Sequence, residues 1–145
     1  MRMLGYLLDS ETDGVLFLRE QALLIPLNGL YKPVRLRKTM FRLLDFMLEK
    51  GEGGLICDEV IMKNVWEGYG LRASTPRLWQ VMNDLKKKLY MLGVNNDLIL
   101  RVEGRGYMID TSLIEPVYIR AAYKWFRQFL IEKPEASKHF SHEFY

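Results

Sequence analysis

Residues 74–107 read STPRLWQVMNDLKKKLYMLGVNNDLILRVEGRGY. The first half has the marks of a helix start. Thr75 can cap the opening turn, and Pro76 sits where a helix tolerates proline best. Leu78, Met82, Leu85 and Leu89 then recur at four-three-four spacing, one apolar stripe. The opposite side carries Arg77, Gln80, Asn83, Asp84, Lys87 and Lys88, side chains that reach base edges and phosphates. The second half alternates apolar residues, Ile99, Leu100 and Val102, around Gly104-Arg105-Gly106, and resumes at Tyr107 and Ile109. That pattern predicts a hairpin with a basic tip. A polar helix followed by a basic hairpin suits the reading of duplex DNA.

Working outward toward the amino terminus, Asp58 to Glu67 predicts a second helix, with Ile61, Val65 and Trp66 turned inward. Cys57 stands where a serine cap is common, and Asp58 and Glu59 suit the positive end of a helix. Gly68-Tyr69-Gly70 opens the link to the third helix. The first helix is expected from Lys38 to Lys50, buried through Leu43, Phe41, Leu44, Met47 and Leu48 and stopped by Gly51, Gly53 and Gly54. Arg37 and Lys38 at its start oppose the helix dipole and read as a solvated basic end. Residues 3–36 read as antiparallel strands: Leu4, Tyr6 and Leu8 alternate, and Val15 to Leu18, Ala22 to Leu27 and Tyr31 to Leu36 follow. Asp13-Gly14 and Asn28-Gly29 supply the turns, and Pro33 argues that the last strand lies at an edge.

The LRKTMFRLLDFML helix, ICDEVIMKNVW, DLKKKL and VEGRGY occur in an order and spacing that identify a family. From Leu36 to Ile109, roughly half of the chain, the sequence resembles the winged helix-turn-helix domain of OmpR/PhoB-type transcription regulators. The membrane-linked ToxR/CadC-type regulators carry the same module. The resemblance departs at the first helix, where the family usually places threonine and glutamate and this chain has Arg37 and Met40. It implies a sheet packed on three helices and a third helix docked in the major groove. In related response regulators the link before that helix touches RNA polymerase.

Composition bounds the alternatives. With 145 residues, 49% of them hydrophobic, the chain can bury one sizeable core, and its net charge of +3 is mildly basic. Cys57 is the single cysteine, which excludes an intrachain disulfide and fits a reducing compartment. There is no signal-peptide pattern and no run of the roughly twenty apolar residues that a spanning helix needs, so a cytoplasmic location is expected. OmpR/PhoB-type regulators usually carry a receiver domain before the winged helix and ToxR/CadC-type regulators a membrane span after it; these 145 residues hold neither, so either a free-standing regulator or a fragment of a longer protein is expected. No phosphate loop, nucleophile elbow or HExxH motif is present, and Asp45 and Glu49, one turn apart, read as a solvated face. Catalysis, cofactors and metals are therefore not expected. His139 and His142, beside Glu143 near the terminus, are a weak metal pattern.

Beyond Pro116, Val117 to Ile131 predicts an added helix rich in aromatics, Tyr123, Trp125, Phe126 and Phe129, and punctuated by Arg120, Lys124 and Arg127. Pro134 ends it.

These readings combine into an α+β winged helix-turn-helix: an amino-terminal antiparallel sheet, three helices, a wing hairpin and an added carboxyl-terminal helix. The domain spans 1–112, and the helix and tail 113–145. Base contacts fall to Arg77, Gln80, Asn83 and Lys87, phosphate contacts to Lys86 and Lys88, and the wing contact to Arg105. Trp79, off the apolar stripe, is expected to pack against the preceding link, and Asp84 to offset Lys88 at i+4. The partner is double-stranded promoter DNA, with a homodimer through residues 117–131. The alternative is an interaction module acting on RNA polymerase or another regulator with little DNA affinity of its own.

Overall fold

The computed structural model describes residues 2–11 and 13–120. Two antiparallel sheets flank three helices. The first sheet is built from β1 (Arg2–Leu8), β2 (Val15–Leu18), β3 (Leu23–Pro26), β4 (Val34–Arg35) and β8 (Ile114–Ile119), in the order β4-β3-β2-β1-β8. The second, in the order β5-β7-β6, consists of β5 (Ile56–Cys57), β7 (Gly106–Ile109) and β6 (Ile99–Val102). Between them lie α1 (Lys38–Lys50), α2 (Asp58–Val65) and α3 (Thr75–Met91).

The amino-terminal strands form where alternation and turn residues place them. Gly14 and Gly29 both take positive φ, +80° and +73°, at the two turns, and the Asn28 side chain accepts the Leu30 N–H at 2.9 Å to close the second. β4 is an edge strand, as Pro33 requires. β1 has a bulge between Met3 and Gly5. A Cβ on Gly5 would lie 1.8 Å from the Phe17 carbonyl oxygen, so only glycine permits this approach to β2.

The core joins both sheets to the helices. Tyr6, Leu8, Val15, Phe17 and Leu24 of the first sheet meet Leu43, Leu44 and Met47 of α1, Ile61 and Val65 of α2, and the stripe Leu78, Met82, Leu85 and Leu89 of α3. Trp66, 1% exposed, fills the end of α2. Arg19 reaches from the end of β2 to α1, where its Nε and Nη2 donate to the two Asp45 carboxylate oxygens at 2.6 and 3.0 Å. Asp45 is thus committed to holding the sheet on the helix, not to a solvated face.

Two expectations change at helix ends. α2 stops at Val65, and Glu67–Tyr69 forms a separate 3-10 turn, which Gly70 ends by taking the left-handed conformation at φ +73°. α3 is capped by Ser74 and not Thr75: the Ser74 hydroxyl accepts the Arg77 N–H at 3.2 Å, and Thr75 is already helical.

The larger correction lies past the wing. Val117 to Ile119 do not begin a helix; they complete β8, which pairs antiparallel with β1 from Arg2↔Ile119 to Leu8↔Ile114. β-branched Ile114, Val117 and Ile119 suit a strand, and Pro116 is tolerated because β8 is the sheet's outer edge. The amino-terminal sheet therefore extends through residue 119, past the division drawn at 112. The rest of the expected helix, from Ala121, and the dimer contact assigned to it lie outside the described residues, as do His139 and His142.

Candidate nucleic-acid interface

α3 presents its polar stripe to solvent. With Leu78, Met82, Leu85 and Leu89 buried, the 3.6-residue turn leaves Arg77, Gln80, Asn83 and Lys87 exposed at spacings of three, three and four. The Ser74 cap and Pro76 fix where this stripe begins. Lys86 and Lys88 are half-buried on opposite flanks. Lys86 lines a crevice with Leu89, Asn95 and Leu98, on the side from which the wing departs. Lys88 lines a groove with Arg37, Met40 and Met91, on the α1 side.

The wing is the β6–β7 hairpin. Gly104 takes φ +72°, a conformation that disfavours any other residue, and the Arg105 N–H donates to the Val102 carbonyl at 3.0 Å to close the turn. The Arg105 side chain is exposed. Gly106 is required for a different reason. A Cβ there would come within 2.0 Å of the Ile56 carbonyl oxygen, so its absence lets β7 pair with β5.

A side-chain clasp fixes the wing to the helices. Arg101, on β6, donates from Nη1 and Nη2 to the two carboxylate oxygens of Asp58 at 2.7 and 3.1 Å. Its guanidinium also lies 4.8 Å from the ring centroid of Tyr107, its cross-strand neighbour. Asp58 is the first residue of α2, and its N–H donates to the Arg105 carbonyl at 3.3 Å. The hydrogen bonds to Asp58 hold Arg101 protonated more firmly still. Burial pushes the Tyr107 phenol up, while the nearby Arg101 charge pulls it down by less. Sequence reading gave Asp58 only its place at the start of α2 and gave Arg101 no role. The one available signal was Arg101 inside an otherwise apolar strand.

Two further residues, Trp79 and Asp84, behave differently from their sequence reading. Trp79 is 54% exposed instead of packed. Asp84 makes no ion pair with Lys88 among the described residues; it shares the groove lined by Arg37, Lys87 and Lys88. Cys57 occupies the α2 cap position with extended backbone but makes no side-chain cap hydrogen bond.

The sequence matches the family described as "Transcriptional regulatory protein, C terminal" over residues 31–109, just over half of the chain. The chain belongs to this OmpR/PhoB-type family. It therefore carries the DNA-binding domain of a transcription regulator, in a family of regulatory and not enzymatic domains. The matched span begins at the approach to β4 and ends at the last residue of β7, so most of the first sheet, including β8, lies outside it. No individually curated protein matches the chain. Among the described residues of this regulator domain, no helix is long and apolar enough to cross a membrane, and no three acidic, histidine or cysteine side chains are grouped to hold a metal ion.

Proposed function

We propose that this chain is a bacterial transcription regulator that lays α3 in the major groove of promoter DNA and sets Arg105 on the adjacent backbone or minor groove. The observation that carries this reading is the continuous solvent-facing stripe of Arg77, Gln80, Asn83 and Lys87. These are guanidinium, amide and ammonium groups, matched to guanine, adenine and phosphate. Lys86 and Lys88, on opposite flanks of α3, suit the phosphates on either side of a groove. A cytoplasmic location follows from this reading. A titration of duplex DNA across a salt series tests it. Affinity should fall steeply with salt, and Lys86→Ala or Lys88→Ala should each lower the slope by about one. Salt-independent binding or no binding would refute it.

A second reading has its own support. Tyr69, Leu71 and Trp79 are 54%, 43% and 54% exposed around the link between α2 and α3. The Arg42 guanidinium, 3.6 Å above the Tyr69 ring, steadies that link against α1. Such a surface suits a protein partner, RNA polymerase or another regulator. Trp79→Ala that abolishes transcriptional output while leaving DNA affinity intact would favour it.

A further inference from the structure

The first sheet is apolar on both faces. Its inner face belongs to the main core. On the outer face, Leu16 and Leu18 of β2, Leu23 and Ile25 of β3, and Val117 and Ile119 of β8 form a second cluster. Leu4, at the β1 bulge, joins them. An antiparallel sheet with one covered face ordinarily turns polar residues outward; here alternation turns leucine, isoleucine and valine outward. Leu18 is only 2% exposed and Leu4 7%, while Leu16, Leu23, Ile25, Val117 and Ile119 around them are only half-buried, so the face still presents apolar surface.

We infer that the outer face is the docking surface for this chain's own residues 121–131. That sequence, AAYKWFRQFLI, starts two positions after Ile119, at the edge strand of this very face. It supplies Tyr123, Trp125, Phe126, Phe129 and Leu130, aromatic and aliphatic groups that the sheet's aliphatic side chains match. Reach is sufficient. Strands lie roughly 4.8 Å apart, so β8 to β3 is about 14 Å across, and eleven residues span about 16 Å even at the 1.5 Å rise of a helix. Tethering decides between this occupant and a second copy. A segment joined directly to β8 meets the face at an effective concentration in the millimolar range, far above that of another molecule.

The test uses the full chain carrying Cys57→Ser. Ile25→Cys is combined, one at a time, with a cysteine at each position from 122 to 130, and the products are oxidised and sized without reductant. Several positions should give an intrachain disulfide in a monomer. Disulfides that join two chains instead would assign the face to a dimer, and no disulfide at any position would leave the segment elsewhere; either result overturns the inference. Val117→Cys serves as a second anchor if Ile25→Cys folds poorly. In Trp79→Phe, whose remaining indoles are Trp66 and Trp125, acrylamide should quench both weakly; a component quenched like free indole would also overturn it.

Discussion

Removing the Asp58 charge should loosen the wing at a cost that the geometry brackets. The pair is bidentate, at 2.7 and 3.1 Å, and the side chains of Arg101 and Asp58 are 22% and 16% exposed. Exposed pairs contribute about 0–1 kcal/mol, and breaking a fully buried one costs about 3–5 kcal/mol. A pair with this residual exposure belongs between them, so Asp58→Asn should cost about 1–2 kcal/mol. Part of that, about 0.3–1 kcal/mol, is the lost carboxylate at the first turn of α2 and involves no Arg101 contact. A double-mutant cycle with Arg101→Met separates the two, and a coupling of about 1 kcal/mol is expected in urea denaturation. For a domain of this size the single substitution should lower Tm by about 3–8 °C. Because Asp58 also holds the Arg105 carbonyl through its N–H, backbone exchange at the wing should rise with the same variant. A coupling within about 0.3 kcal/mol of zero, below the resolution of such cycles, would refute the claim that this clasp fixes the wing.

Three further outcomes are expected. Arg105→Ala should weaken DNA binding while changing stability by less than about 0.5 kcal/mol, as for an exposed residue; unchanged affinity at low and high salt would remove Arg105 from the interface. Ser74→Ala should cost about 1 kcal/mol through loss of the α3 cap, whereas Thr75→Ala should cost much less, and thermal melts of the pair distinguish them. Burial raises the phenols of Tyr6 and Tyr107 above their ordinary value. The folded state therefore retains protons that the unfolded chain gives up near pH 10. Their contribution is complete below about pH 10 and is lost as pH rises further. A urea series from pH 8 to 11.5 should show a decline confined to the alkaline end, and Tyr107→Phe should reduce it.

Sequence pattern located most elements because local chemistry and burial agree there. The α3 stripe, the Gly104 turn and the start and stop of α1 needed nothing beyond spacing and turn residues. The failures are contacts between distant segments. β8 looked helical because Val117 precedes an aromatic run, while its actual partner is β1, more than a hundred residues earlier. The Arg101–Asp58 and Arg19–Asp45 pairs join residues 43 and 26 positions apart, and single-residue reading gave Asp58 only a dipole role and Asp45 only solvent. The choice of Ser74 over Thr75 as the α3 cap turned on one residue of register. For the interface, residue type and helix period indicated which side chains are exposed, but not that Trp79 is exposed beside them.

Base reading by α3 is the central claim, and selection from a random duplex pool tests it most directly. The wild-type chain should enrich one motif. Arg77→Ala and Gln80→Ala should each relax or shift preference at particular positions, at about 1–3 kcal/mol of discrimination, while Lys86→Ala and Lys88→Ala should weaken binding without changing the motif. If no motif is enriched, or if Arg77→Ala and Gln80→Ala behave like the lysine variants, α3 does not read sequence.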